Sequence, residues 1–157
     1  MRVAVWSFLS MTVVGGLGCT GPTASTSVDE QAIVDDSAVI RFYQETQPIV
    51  IPDTVIRGVP FEVQVPTYAG GCTRAIARTE VQVRGAVVEF RPVNRTVTVP
   101  GGGCTRDLRI LEHRATITVT TVGPVLVRIR GAERNAATGN ATISTVIERQ
   151  IVVRSAA

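Results

Sequence analysis

The fold class is decided by the stretch Phe61-Glu62-Val63-Gln64-Val65, in which apolar and polar residues alternate. Alternation with a period of two places one side chain in the core and the next in solvent, which is typical of a half-buried β-strand. The same alternation returns in Thr79–Val83, in Ala115–Thr121 and in Val125–Arg130. The sequence therefore predicts a protein built from strands.

Composition agrees with this prediction. The 157 residues include 26 Val and 19 Thr but five Leu, and β-branched side chains favour strands over helices. An apolar content of 45% with mixed charges excludes a disordered chain. We expect an all-β protein whose residues 38–157 form a single antiparallel β-sandwich of about seven to nine strands. Arg106–His113 is the one segment that offers a possible short helix, and it contains no strong helix signal.

Residues 1–18 have the layout of an export signal, with Arg2 followed by an uncharged, largely apolar stretch that ends in Gly-Gly-Leu-Gly. A small residue, Gly18, directly before Cys19 resembles the lipobox of bacterial lipoproteins. In that family the Cys is acylated and becomes the first residue of the mature protein. The resemblance implies a lipid on Cys19 and attachment to a membrane of the bacterial cell envelope. Thr20 after the Cys implies the outer membrane. The alternative is an ordinary cleaved signal with an incidental Cys.

Residues 19–37 are expected to form a lipidated, acidic and flexible tether, because they are rich in Ser, Thr and Gly and carry four acids without a base. A short first strand or helical turn at Gln31–Val34 is the alternative. Residues 37–157 hold 15 Arg against nine Asp or Glu, which gives this part a formal charge of +6. Such a domain could favour an acidic glycan or an anionic membrane surface. The alternative is Arg scattered over solvent-exposed faces. We expect a monomer without a nucleic-acid partner.

Two segments carry a second resemblance. Gly58–Val65 and Ala115–Gly131 resemble the second strand and the final hairpin of immunoglobulin-like domains in bacterial envelope proteins. This resemblance implies an immunoglobulin-like outline for the sandwich. The chain departs from the antibody class because no Trp remains after Trp6, and because its Cys pair lies outside the two strands that carry the antibody disulfide.

Gly70–Arg74 and Gly102–Arg106 are the same pentad, Gly-Gly-Cys-Thr-Arg. Each Gly pair allows a tight turn, and we expect a disulfide between Cys72 and Cys104, since an exported protein meets an oxidising compartment. Structural zinc usually needs four Cys or His ligands, and a redox pair is usually Cys-x-x-Cys, so a metal or redox role is disfavoured. The disulfide would bring Arg74 and Arg106 together as a possible anion-binding pair. The alternative is two solvated Arg side chains in loops.

No sequence motif indicates catalysis. His113 is expected at a surface or loop end, because no nucleophile is paired with it in the sequence. If Arg84-Gly85 is a two-residue turn, Glu80 faces Glu89 at a separation that suits a retaining glycosidase. A charge ladder with neighbouring Arg residues is the simpler interpretation. We expect no enzymatic activity, no catalytic residue, no metal and no cofactor.

Two functions remain open on the sequence. The first is a lipid-anchored structural or interaction module that contacts an envelope protein or an acidic glycan. The second is a small-ligand or carbohydrate-binding lipoprotein. A concave pocket lined by Tyr43, Tyr68 or Phe residues would favour the second function.

Overall fold

The structure of the protein is a computed structural model that describes residues 32–98, 101, 103–105, 107–135 and 142–156. Within these ranges the chain forms nine strands and no helix, so the all-β prediction is confirmed. The strands are β1 (Ala32–Ser37), β2 (Val39–Phe42), β3 (Thr54–Ile56), β4 (Phe61–Gly70), β5 (Thr73–Arg84), β6 (Val87–Thr98), β7 (Leu108–Ile117), β8 (Gly123–Arg134) and β9 (Thr142–Arg154). No helix in the described ranges is long and apolar enough to cross a membrane.

The strands form one continuous mixed sheet. Its main path runs β1-β6-β8-β2-β4-β7, with β5 added to β6, β9 added to β8 and β3 added to β9. The pairings of β2 with β8, β3 with β9 and β6 with β8 are parallel, and the other pairings between described strands are antiparallel. The sandwich-like outline is therefore that of a curled half barrel, and it departs from a wholly antiparallel immunoglobulin-like arrangement.

The sheet curls so that β4 and β7 face β6, β8 and β9 across one apolar core. Val63 and Val65 enter this core from β4, Phe90 from β6 and Val127 from β8, and all four are fully buried. They occupy alternate positions of their strands, as the period-two pattern predicts. Burying each such side chain contributes roughly 1.5–3 kcal/mol relative to leaving it exposed.

The hairpin between β5 and β6 has a different turn from the predicted one. Val83 pairs with Val88 and Arg84 with Val87, so the two residues of the turn are Gly85 and Ala86. Gly85 has a φ of +56°, a conformation that glycine adopts without a Cβ penalty.

This turn changes the partners across the hairpin. Glu80 now lies opposite Arg91 rather than Glu89, and its carboxylate forms an ion pair with Arg91 at 3.4 Å. Glu89 pairs instead with Arg130 at 2.9 Å. The predicted pairing of Glu80 with Glu89 is wrong, and the two carboxylates serve separate ion pairs.

Two segments in the second half of the chain differ from the sequence-based interpretation. Arg106–His113 offered a possible short helix, but Leu108–Ile117 is strand β7 and pairs with β4 along its whole length. Ala115–Gly131 was expected to form a hairpin, but β7 pairs with β4 while β8 pairs with β9. The turn after Ile117 therefore carries the chain from one wall of the half barrel to the other.

Strand β1 lies inside the stretch that was predicted to be tether. Ala32–Ser37 pairs antiparallel with the second half of β6, although all six residues are exposed. Asp35 in this strand accepts hydrogen bonds from Arg95 at 3.1 Å and from Arg78 at 3.0 Å. These contacts lower the pKa of the Asp35 carboxyl, chiefly through the hydrogen bond from Arg95. Acidic groups of the predicted tether thus form ion pairs with basic groups of the domain. The alternative interpretation, a short first strand in this stretch, fits the structure.

Candidate ligand-binding cavity

A cavity of about 980 Å³ lies at the end of the half barrel that carries the disulfide. Its wall is formed by β2, by the ends of β1, β4, β6 and β8, and by the first residues of β5, β7 and β9. A volume of this size lies at the upper end of the usual range for small-molecule sites, about 300–1,000 Å³. The cavity is therefore large enough for a ligand of several fused or linked rings.

The disulfide between Cys72 and Cys104 forms part of the cavity wall, with a Cα–Cα distance of 5.1 Å. It links the turn after β4 to the segment before β7 and closes a span of 32 residues. On the chain-entropy account, a bridge over such a span stabilises the fold by about 3–4 kcal/mol. The predicted pairing is confirmed.

The first Gly pair is required by the close approach of these two segments. A Cβ on Gly70 would lie 2.3 Å from the backbone oxygen of Asp107, and a Cβ on Gly71 would lie 2.7 Å from the Cβ of Cys104. Gly71 also has a φ of +59°. The matching residue of the second pentad, Gly103, has nothing within 4 Å of an added Cβ. The two pentads therefore have the same sequence but different steric constraints, because a Cβ is excluded at Gly71 and not at Gly103.

Asp107 fastens the segment before β7 to the turn after β4. Its carboxylate accepts hydrogen bonds from the Thr105 hydroxyl and the Arg109 guanidinium, and it receives a backbone hydrogen bond from Gly71. These donors, with Thr105 the largest contributor, lower the pKa of Asp107 to about 2. The cavity wall thus carries a carboxylate that stays ionised and fixed in place near neutral pH.

Three aromatic rings of the cavity wall form a contiguous cluster. Phe42 packs edge-to-face against Tyr43, with ring centroids 4.5 Å apart, and lies 5.3 Å from the ring of Tyr68. The Tyr68 hydroxyl accepts a hydrogen bond from the Gln47 side chain at 3.2 Å. Tyr68 is buried, whereas 45% of Tyr43 is exposed. The cluster therefore presents one ring at the cavity mouth and two behind it.

Tyr43 is held there by a tight turn with an uncommon backbone. Phe42 and Glu45 exchange two backbone hydrogen bonds, and the Tyr43 N–H donates to the carbonyl of Arg134 at 2.8 Å. Tyr43 and Gln44 have φ values of +49° and +69°. Positive φ at both central positions is the pattern of type I′ turns, in which Asn and Gly are usual. Residues with side chains of this size adopt it at a cost of about 1–2 kcal/mol each.

A buried chain of hydrogen bonds lies behind the cavity. The Thr79 hydroxyl contacts Nδ1 of His113 at 2.9 Å, and Nε2 of His113 contacts the side-chain oxygen of Asn94 at 2.9 Å. Because an amide oxygen only accepts, His113 is the neutral tautomer with its proton on Nε2. Asn94 donates onward to Thr67, whose hydroxyl donates to the Leu111 carbonyl.

Burial lowers the pKa of His113 to about 4. The expectation of a surface histidine is wrong, because β7 faces β5 and β6 across the core and carries the ring into it. Both ring nitrogens are occupied by structural hydrogen bonds, so His113 holds strands together.

Of the remaining predicted site residues, the structure describes Arg74. Arg74 is exposed on β5 and does not line the cavity, and Arg106 lies outside the described residues. The anion-binding pair therefore stays a prediction. Cys19 and the rest of the signal and proximal tether also lie outside the described residues.

The sequence indicates Tyr43 and Tyr68 as possible pocket residues, but it does not indicate which residues surround them. The chain has two tyrosines, and both line the cavity. Tyr43-Gln44 contains no Gly or Asn, so nothing in the local sequence signals a left-handed turn.

The chemistry of the described residues favours binding. Within those residues no group of three or more His, Cys, Asp or Glu side chains could hold a metal ion. The cavity combines an aromatic wall, a fixed carboxylate and many hydroxyl groups, which are the elements of a site for a polar organic ligand. Comparison with protein families, with curated proteins and with solved structures finds no match to this chain.

Proposed function

We propose that this protein is a lipid-anchored binding protein of the bacterial cell envelope, and that the disulfide-end cavity is its ligand site. The observation that carries the binding role is the cavity of about 980 Å³ with Phe42, Tyr43 and Tyr68 in its wall. Strain of the backbone at Tyr43 and Gln44 supports it, because strained residues cluster at functional sites. Binding residues also concentrate where a rigid β-scaffold ends in turns.

The anchoring role rests on the sequence. In this proposal Cys19 carries the lipid and residues 20–31 link it to β1, which places the domain close to the outer membrane. A monomer attached in this way meets ligands of the periplasm or of the cell surface.

Binding without catalysis is supported by the state of the titratable groups near the cavity. Three donors hold the Asp107 carboxylate in its ionised form, and both nitrogens of His113 are engaged by Thr79 and Asn94. Neither group is free to transfer a proton to or from a ligand, which general acid–base chemistry requires.

The test compares two tryptophan variants of β9. Ser144 lines the cavity and Gln150 does not, and both are exposed on the same face of the strand. The full chain is extracted from its own membranes in mild detergent, and native mass spectrometry measures any retained small molecule. We expect a retained mass in wild type and in Gln150→Trp, and its loss in Ser144→Trp. Retention by all three proteins would place binding elsewhere and contradict the proposal.

A structural or interaction module is the second candidate function. Leu108 and Ile110 favour it, because these apolar side chains are 55% and 43% exposed on β7. Exposed apolar groups of this kind mark protein contacts when they are contiguous. Because Leu108 also lines the cavity, the test uses Ile110, which does not. Copurification of one defined envelope protein, abolished by Ile110→Ser but unaffected by Ser144→Trp, would support this second function.

A further inference from the structure

The cavity concentrates the aromatic side chains of a protein that has few of them. Aromatic residues make up 4% of the chain, yet Phe42, Tyr43 and Tyr68 lie together at one site. Tyr68 and Phe42 fill the wall, whereas Tyr43 remains 45% exposed. A half-exposed ring that is supported from behind offers a flat apolar face to a ligand.

The fold holds that ring in place at a cost to stability. The left-handed conformation of Tyr43 persists because the Phe42–Glu45 turn is closed by two backbone hydrogen bonds and is tied to Arg134 by a third. A Gly at position 43 would fit this backbone better but would present no ring. Of the two described non-glycine residues with positive φ, Tyr43 lines the cavity, which is the relation expected of a functional residue.

The polar side chains of the cavity wall do not form a site for a charged ligand. The charged residues among the described lining are Asp36, Asp107 and Arg134, and Asp107 is already paired with Arg109. The Asn94 amide is already hydrogen-bonded through both its oxygen and its nitrogen, to His113 and Thr67. Besides the two tyrosine hydroxyls, the other polar side chains of the wall are short hydroxyls. The hydroxyl-bearing residues are Ser37, Thr73, Thr96, Thr105, Thr142 and Ser144. Short hydroxyls both donate and accept, so they suit a partner that is itself rich in hydroxyl groups.

From these observations we infer that the ligand is a neutral oligosaccharide, with one sugar ring stacked on Tyr43 and its hydroxyl groups facing the polar wall. A pyranose has an apolar C–H face and a rim of hydroxyls, which matches an aromatic ring beside carboxylates and hydroxyl side chains. The volume of about 980 Å³ accommodates more than one sugar unit. This inference rests on the proposed function, since it names the ligand class of the same cavity.

The test uses two neighbouring glycine variants. Tyr43→Gly removes the ring and relieves the left-handed strain, while Gln44→Gly relieves the same kind of strain and keeps the ring. The full chain, in a detergent without a sugar head group, is titrated calorimetrically with maltose, cellobiose and diacetylchitobiose. We expect wild type and Gln44→Gly to bind at least one of these with the same Kd. Tyr43→Gly should raise that Kd about tenfold or more.

Thermal unfolding of the same proteins tests whether a change in Kd comes from a folding defect. Both glycine variants should have a Tm equal to or above that of wild type, because each gains a residue suited to positive φ. Unchanged binding by Tyr43→Gly would overturn the role of the ring. Failure of all three disaccharides to bind would overturn the saccharide class. If the native mass experiment still shows a small molecule displaced by Ser144→Trp, the cavity remains a binding site for another class of ligand.

Discussion

At the scale of single residues, His113 shows how far burial changes a side chain's role. Its ring is fully buried and joins β5, β7 and β6 through Thr79 and Asn94. Protonation would convert the acceptor Nδ1 into a donor that faces a hydroxyl and would place a charge in the core. The Thr79 hydroxyl can rotate to accept from that donor, so the unfavourable effect is the buried charge, which lowers the pKa to about 4.

This burial predicts a pH dependence of stability. The pKa of His113 lies below its ordinary value of 6.5, so the unfolded chain takes up the proton first as pH falls. Stability is then complete above pH 6.5 and declines towards pH 4, by on the order of 3 kcal/mol over the whole window. Urea unfolding between about pH 6.5 and 5, above the main carboxylate range, isolates this contribution. His113→Gln should flatten the slope there, and parallel curves for the two proteins would contradict the assignment.

Gly71 and Gly103 give a matched pair for the disulfide turn. Gly71→Ala should destabilise the domain by about 1–2 kcal/mol from its positive φ alone, and by more because the new Cβ would meet the Cβ of Cys104. Gly103→Ala should have little effect, since an added Cβ meets nothing within 4 Å. Denaturant unfolding of both variants measures the difference. Equal effects would mean that the two pentads are equivalent after all.

The residue types of the cavity could be predicted from the sequence better than their geometry. Tyr43 and Tyr68 were recognisable as candidates because they are the two tyrosines of the chain. Their proximity was not, because it depends on β2 pairing with β4 at Val39 and Tyr68. His113 was misplaced because a lone His beside charged residues looks like a surface residue until its strand partners are known.

At the scale of elements, periodicity predicts which face of a strand is buried but does not predict its register. In the β5–β6 hairpin the turn moves by one residue, from Arg84-Gly85 to Gly85-Ala86. The shift moves each cross-strand partner by two residues, so side chains keep their faces while Glu80 exchanges Glu89 for Arg91. The charge ladder was therefore predictable, and its exact partners were not.

Strand β1 is the element whose order depends most on charge. It buries none of its six side chains, and Asp35 links it to Arg95 of β6 and Arg78 of β5. Asp35→Asn should therefore increase amide hydrogen exchange in β1 while the global unfolding transition barely changes, because the pairs are solvent-exposed. Asp36→Asn is the control, since no ion pair joins Asp36 to another described residue. Equal amide hydrogen exchange in the two variants would show that the ion pairs of Asp35 do not keep β1 ordered.

At the scale of the whole molecule, the strand-favouring composition predicts the all-β class. It does not predict the order of the strands within the sheet. The parallel pairings join strands far apart in sequence, such as β2 with β8, and no local pattern reports them. The disulfide was predictable because Cys72 and Cys104 were the pair left after Cys19. The cavity was not, because it forms only where eight of the strands and the disulfide come together.

The proposed attachment to the membrane concerns the whole protein, and one variant tests it. Expressed in a bacterium with its own signal, the wild-type chain should partition into detergent, because several acyl chains anchor a protein firmly. Cys19→Ala should leave the protein soluble or unprocessed, as judged by phase separation and intact mass. The Cys72→Ala, Cys104→Ala double variant controls for loss of thiols elsewhere and should still partition into detergent. A wild-type protein found free in the periplasm would contradict the lipid anchor.

The central claim is that the disulfide-end cavity binds a ligand, and the two tyrosines allow it to be measured directly. Both tyrosines of the chain line the cavity, so ring-labelled tyrosine reports on that site and on nothing else in the domain. The measurement is the NMR spectrum of the labelled full chain during titration with a small-molecule fraction of the bacterial envelope. We predict that the ring signals of Tyr43 and Tyr68 shift together and saturably, and that Ser144→Trp abolishes the shift. Saturable binding by calorimetry with both tyrosine signals unmoved would contradict the account.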